Sequence, residues 1–210
     1  MSRLLEMLQQ RGVDTTVSEP LDASPLPTEV VKYGAAGSAV VVFTVSRQRI
    51  NEKDVASYKA FTLKSGGTTG VLVVAIPPSE TVLNAVSAMS DVLQIFHAAR
   101  LEYNPTQHRK VPRHRILSAE EVPKYLEKYN IVLDDIVARM QKDHIRLVAE
   151  QPVLQQIAMV HKDYLPVPHI SSQDAIARWI GAKPGDVLEI MRNSETTGGT
   201  PYYRICVANV

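Results

Sequence analysis

The chain has 210 residues, 45% of them hydrophobic and 21% charged, which is enough for one large or two modest domains with separate cores. A formal net charge of +1 supplies no global field toward nucleic acid, so any such contact must be local or lent by a larger assembly. Cys206 is the single cysteine, which excludes an intrachain disulfide and fits a reducing compartment. Met1 to Glu6 carries Arg3 within its short apolar run, against a secretory signal, and no run nears the ~20 apolar residues that cross a bilayer. A soluble intracellular chain is expected.

Leu4, Leu5 and Leu8 recur at helical spacing before Gly12, predicting an amphipathic helix from Ser2 to Arg11. Pro20 to Pro27 holds three prolines and predicts an irregular connection. Ala39 to Phe43 is a continuous β-branched run, as in a strand covered on both faces. Glu52 to Lys64 carries Val55, Tyr58 and Phe61 or Thr62 on one helical face, stopped by Gly66-Gly67, and Val71 to Ile76 is a second buried strand. Strand, helix and strand at this spacing form a βαβ unit with a right-handed crossover. Pro77-Pro78 ends the second strand; Val82, Val86, Met89 and Leu93 then predict a helix, followed by a strand around Ile95 to Tyr103. A small α/β domain over residues 1–104 results.

Residues 105–115 read as a linker with a local basic excess: Arg109, Lys110, Arg113 and Arg115. Such runs are usually solvated loops; the functional alternative is contact with phosphates or an acidic partner face. Ser118-Ala-Glu-Glu121 has the form of a capping box, and Val122, Tyr125, Leu126 and Tyr129 give the helix after it an apolar face. Pro123 falls just beyond the expected first turn and predicts a slight bend. Leu133, Ile136, Val137 and Met140, then Val153, Leu154, Ile157 and Val160 after Pro152, predict two amphipathic helices within 131–164.

The last stretch is the most informative. Asp174 suits a helix cap and Gly181 a helix stop, Lys183-Pro-Gly-Asp186 a turn, Val187 to Arg192 a strand, Ser194 to Gly198 a polar turn, and Tyr202 to Val207 a final strand. The tail holds no nucleophile with a base, no metal cage and no phosphate cradle. The six histidines are scattered without an i, i+4 pair, and Gly66 to Gly70 lacks the Gly-Lys-Ser/Thr ending of a P-loop. Ser194, Glu195 and Thr196 have no nearby base for nucleophilic chemistry, and their hydroxyls and carboxylate suit bonds to turn amides.

Asp174, Ala177, Arg178, Gly181, Lys183, Gly185, Val187, Ile190, Arg192, Ser194, Glu195, Thr196, Gly198, Tyr203 and Arg204 form an ordered set over this segment. In that set the chain resembles the C-terminal assembly domain of the fifth subunit of eukaryotic nuclear RNA polymerases, a family whose archaeal members carry this domain alone. Val111 to His114, Ile116 to Glu121, Leu93 to His97 and Asn104 extend the resemblance. It implies an α/β, restriction-endonuclease-like N-terminal jaw domain and an α+β C-terminal assembly domain over 116–210, with 131–164 as an inserted helical hairpin. Family members pass this region quickly, and a variant assigned to one polymerase would explain the added surface.

The resemblance further implies a non-catalytic subunit without cofactor or metal, in the nucleus or nucleolus. It would dock on the largest polymerase subunit near the small sixth subunit. Pro77, Pro78 and Ser79 would approach downstream duplex DNA. Arg192, Ser194, Glu195, Thr196, Gly198, Tyr203 and Arg204 would serve as subunit interface or turn scaffold. Val71 to Ile76 has no Asp, Glu or Lys, which argues against a nuclease site. The rival readings are a free-standing transcription adaptor that binds regulators through the assembly domain and inserted helices, and a degenerate nuclease-like DNA-binding enzyme.

Overall fold

A computed structural model describes residues 3–22, 28–35, 37–46, 49–143, 145, 152–194, 196 and 198–208. The chain divides into two compact units, the first ending at Asn104 and the second beginning at Pro105.

In the first unit, α1 (Arg3–Gln10) buries Met7 and Leu8, as its leucine spacing predicts. A five-stranded sheet then forms in the order β1 (Ser18–Leu21), β2 (Glu29–Tyr33), β3 (Val40–Val45), β4 (Thr69–Val74), β5 (Leu93–His97). β1, β2 and β3 are antiparallel neighbours, whereas β3, β4 and β5 run parallel. Parallel neighbours need crossovers, and α2 (Glu52–Lys64) and α3 (Glu80–Ala88) supply them. Val41, Phe43, Leu72, Leu93 and Ile95 pack with Val55 and Tyr58 of α2 in the core. The Phe43 and Tyr58 rings meet edge-on at 5.0 Å. Val40 and Val42 are buried too, so β3 is covered on both faces.

Two boundaries differ from the sequence reading. Leu93, assigned to a helix, is the first residue of β5; α3 ends at Ala88 and a turn intervenes. Leu93 fits helical spacing with Met89, but it also alternates with Ile95 into the sheet core, and short apolar runs satisfy both periods. β5 ends at His97 rather than near Tyr103, and a 3-10 turn follows over Ala98–Leu101. Pro20, expected in an irregular connection, lies in β1, an edge strand where a missing amide is tolerated. Residues 23–27 of that connection lie outside the described residues.

The second unit contains β6 (Arg113–Ile116), α4 (Glu121–Lys128), α5 (Leu133–Lys142), α6 (Val153–Val160), β7 (His169–Ser171), α7 (Ala175–Ile180), β8 (Val187–Ser194) and β9 (Gly198–Val207). Its four-stranded sheet has the order β6-β8-β9-β7. One face carries Val187, Ile205 and Val207 against Tyr125, Ile136, Met140 and Ile157 of the helices α4 to α6. The other carries Leu188 and Cys206 against Ala177 of α7 and Ala182. Both faces are therefore dry, and burial pushes the Cys206 thiol well above its usual range.

The segment read as a linker belongs to this unit, and its end is a strand: Arg113 to Ile116 pair antiparallel with Met191 to Leu188. That pairing joins positions far apart in the chain, so local composition cannot reveal it. Half of the expected capping box forms, with the Glu121 carboxylate accepting from the Ser118 amide at 2.9 Å. α4 starts only at Glu121, which puts Pro123 inside the first turn, where no amide has an intrahelical acceptor. The reason for a bend there disappears.

Candidate functional site

The tail folds around backbone-directed polar groups. Asp174 Oδ1 accepts from the Ile176 and Ala177 amides at 2.9 and 3.1 Å, capping α7, and Gly181 ends the helix in the left-handed region. Asp186 Oδ2 accepts from the Lys183 amide at 2.8 Å and closes the Pro-Gly turn. Burial nevertheless raises the Asp186 carboxyl above its usual range, against the lowering pull of that amide. Gly185 is required by a close approach: a Cβ there would lie 2.6 Å from Gln155 Cα of α6. The Ala158 carbonyl of α6 also accepts from the Ala208 amide at 3.0 Å. α6 is thus seated on the turn and tied to the chain just beyond β9.

β8 and β9 form a hairpin whose last pair is Ser194 with Gly198. Gly198 has φ 66°, a backbone angle that favours glycine. Thr196 lies in the loop, and Glu195 lies outside the described residues. The Arg192 guanidinium stacks 4.3 Å from the centre of the Tyr202 ring. Arg204 donates from Nη1 to the His169 carbonyl at 3.1 Å and ties β9 to β7. Tyr203 points to the opposite face, donating its hydroxyl to Glu189 Oε2 at 3.1 Å and packing its ring 5.1 Å from Tyr125. Tyr203 and Arg204 thus bond within the unit while staying half-buried, and Arg192 is exposed.

The four basic residues before α4 separate into two groups. Arg115 donates from Nη1 to both Glu121 oxygens at 2.8 Å and from Nη2 to Glu189 Oε1 at 3.1 Å. These bonds raise the pKa of its guanidinium and tie β6 to β8 and α4, while the side chain itself stays half exposed. The Ser118 amide, and then Arg115, hold the Glu121 carboxyl below its usual range. Glu189 was missed in the sequence. Its signal is an opposite charge facing Arg115 across the β6–β8 register, visible only once that pairing is known.

Arg109, Lys110 and Arg113, with Val111 and Pro112, line one side of a groove of about 800 Å3; Met191, Arg192 and Asn193 of β8 line the other. Four cations face this space, and none of these lining residues is acidic. A smaller groove of about 380 Å3 in the first unit brings Pro77, Pro78 and Ser79 beside Arg49, Ile50 and Asn51. It lies where β4 gives way to α3, with Arg49 as its cation. Among the described residues no three His, Cys, Asp or Glu side chains come together as metal ligands. No helix among them is long and apolar enough to cross a membrane.

Residues 149–206 match the family described as RNA polymerase Rpb5, C-terminal domain. The chain is also 34% identical, over 110 residues, to the DNA-directed RNA polymerase subunit Rpo5 of Thermococcus kodakarensis, covering 96% of that protein and 52% of this chain. The Rpo5 of Pyrococcus abyssi gives the same identity and coverage. That of Sulfurisphaera tokodaii is 27% identical over 95% of its length and 53% of this chain. This chain belongs to the Rpb5/Rpo5 family. The family is a structural RNA polymerase subunit and not the catalytic one. The Rpb5 match spans α6, β7, α7, β8 and all but the last residue of β9, so the groove's β8 wall lies inside it.

Proposed function

We propose that the chain is an assembly subunit of a nuclear DNA-directed RNA polymerase, which docks its second unit on the largest subunit near the small sixth subunit. The carrying observation is the exposed end of the β8–β9 hairpin: within the Rpb5 match, Arg192 joins Arg109, Lys110 and Arg113 around one groove without a carboxylate. A structural subunit needs such a surface and no reactive centre. The first unit is taken as the jaw, with a restriction-endonuclease-like fold, and Pro77, Pro78 and Ser79 as its approach to downstream duplex DNA. With Arg49 as the one cation in that groove, contact would be to backbone and would position rather than specify. Residues 131–164 are read as a hairpin added to the family's assembly domain, a reading that rests on α5, since α6 falls inside the Rpb5 match. Nuclear or nucleolar placement follows from pairing a jaw with that domain.

Affinity purification of the tagged chain tests this reading. Large polymerase subunits in stoichiometric amounts are expected; their absence would overturn it. A second reading, a free-standing adaptor that binds transcription regulators through α5 and α6, draws on Val132 and Val160, which stand 50% and 67% exposed at the ends of those helices. Recovery of regulators without polymerase would favour it.

A further inference from the structure

We propose that the groove beside β8 receives an extended acidic peptide segment of a partner protein, added edge-on to the sheet in the place where β6 stops. The proposal deepens the docking reading and rests on it only in taking the occupant to be protein.

The argument begins with the sheet edge. The Val187 carbonyl accepts from the Leu117 amide at 2.9 Å, so it points toward β6. Backbone direction alternates along a strand, which aims Glu189, Met191 and Asn193 the same way. Arg115 and Arg113 stand opposite Glu189 and Met191. Opposite Asn193 the register would place Val111, but β6 begins only at Arg113. Pro112 brings no amide to a ladder, and the Val111 amide turns back to the His108 carbonyl at 2.9 Å. The incoming chain peels away from β8, and the groove is the gap it leaves. β8 itself continues to Ser194, so an edge position is open there.

Charge then selects the occupant. Arg113 shares a sheet face with Met191 and Asn193, whereas Arg192 lies on the other face against Tyr202. An extended strand sends successive side chains to alternate faces, so adjacent carboxylates would meet Arg113 on one side and Arg192 on the other. Arg109 and Lys110 line the outer wall, and Val111, Pro112 and the exposed Met191 offer apolar contact between the charges. Backbone pairing with apolar contact suits a peptide; a phosphate ladder uses neither. The chain's net charge of +1 also lacks the extended field of a nucleic-acid surface.

The probe is a labelled synthetic heptapeptide alternating Asp-Glu pairs with Val, titrated into the full-length chain at low salt. Amide shifts should concentrate at Val111, Met191, Arg192 and Asn193. Lys110→Glu with Arg113→Glu should weaken binding by about tenfold or more, with unchanged thermal unfolding because both side chains are exposed. N-methylation of the peptide on the residues facing Asn193 should abolish binding, and methylation in the other register should spare it. Equal loss in both registers, no shifts at the groove, or groove binding of a duplex oligonucleotide in preference to the peptide each overturns the proposal. If tagged wild-type chain still recovers polymerase in those cases, only the peptide inference fails; if it recovers none, the docking reading fails separately.

Discussion

Gly198 and Gly185 both sit at positive φ, but Gly185 carries a second constraint, the close approach of α6, that Gly198 lacks. At Gly198 an added Cβ would meet nothing within 4 Å, so only φ 66° penalises a side chain. Gly198→Val should cost on the order of 1–3 kcal/mol and Gly198→Asn much less, since Asn tolerates the left-handed region. Thermal unfolding of the pair measures the difference. Tyr125 offers a pH test. Burial, and then the neighbouring Tyr129 and Tyr203, push its phenol up to about 12. Because the folded state raises this pKa, the stabilisation is complete below the ordinary tyrosine value near 10 and is lost as pH rises through about 12. Tyr58, Tyr164 and Tyr203 are raised as well, so phenolate absorbance should show a delayed group of tyrosines, and Tyr125→Phe should remove the part of it near pH 12. Cys206 is fully buried on the sheet face covered by α7, so iodoacetamide should label it only as the second unit unfolds. Labelling at the native rate of a free thiol would contradict that burial.

Among the elements, those governed by neighbours in sequence were legible and those governed by distant pairing were not. α2 runs from Glu52 to Lys64 as its spacing predicts, because one apolar face and a Gly-Gly stop are local signals. The Asp174 cap, the Gly181 stop and the β8–β9 hairpin were legible for the same reason. β6 was not. Arg113 to Ile116 alternates charged and neutral residues, and only the facing β8 turns that pattern into a strand. The groove is half visible for this reason: three of its cations stand out as a basic run and Arg192 separately as an interface or turn-scaffold residue, but nothing local joins them. The seat of α6 was equally hidden, since Gly185 reads as an ordinary turn glycine. Gly185→Ala should strain the turn through its φ of 95° and also push α6 off it, because the new methyl would press on the Gln155 backbone. Hydrogen exchange should then quicken across Val153–Val160 before it does in β8; unchanged protection there would mean the contact is slack.

For the whole molecule, the division at Asn104 predicts separable stability. Residues 105–210 alone should fold, with cooperative unfolding and the late titration of Tyr125 retained, and should still enter polymerase. A soluble truncated chain that never co-purifies would show that docking needs the first unit as well. The archaeal Rpo5 relatives point the same way, since nearly their whole length is covered by about half of this chain.

The order of strands in the second sheet has a consequence for how the protein is made. β9 comes last along the chain yet sits between β8 and β7, with β6, the earliest, at the edge. Tyr125, Ile136 and Ile157 of α4, α5 and α6 rest on Ile205 and Val207. While the ribosome is still short of Val207, those helices have emerged without the strand they cover, whereas every strand of the first unit is already out. The nascent chain therefore passes through an interval with one finished unit and one whose apolar faces lie open. A chain released in that interval would lack the interior strand of its sheet and, with it, the hairpin that forms one wall of the groove.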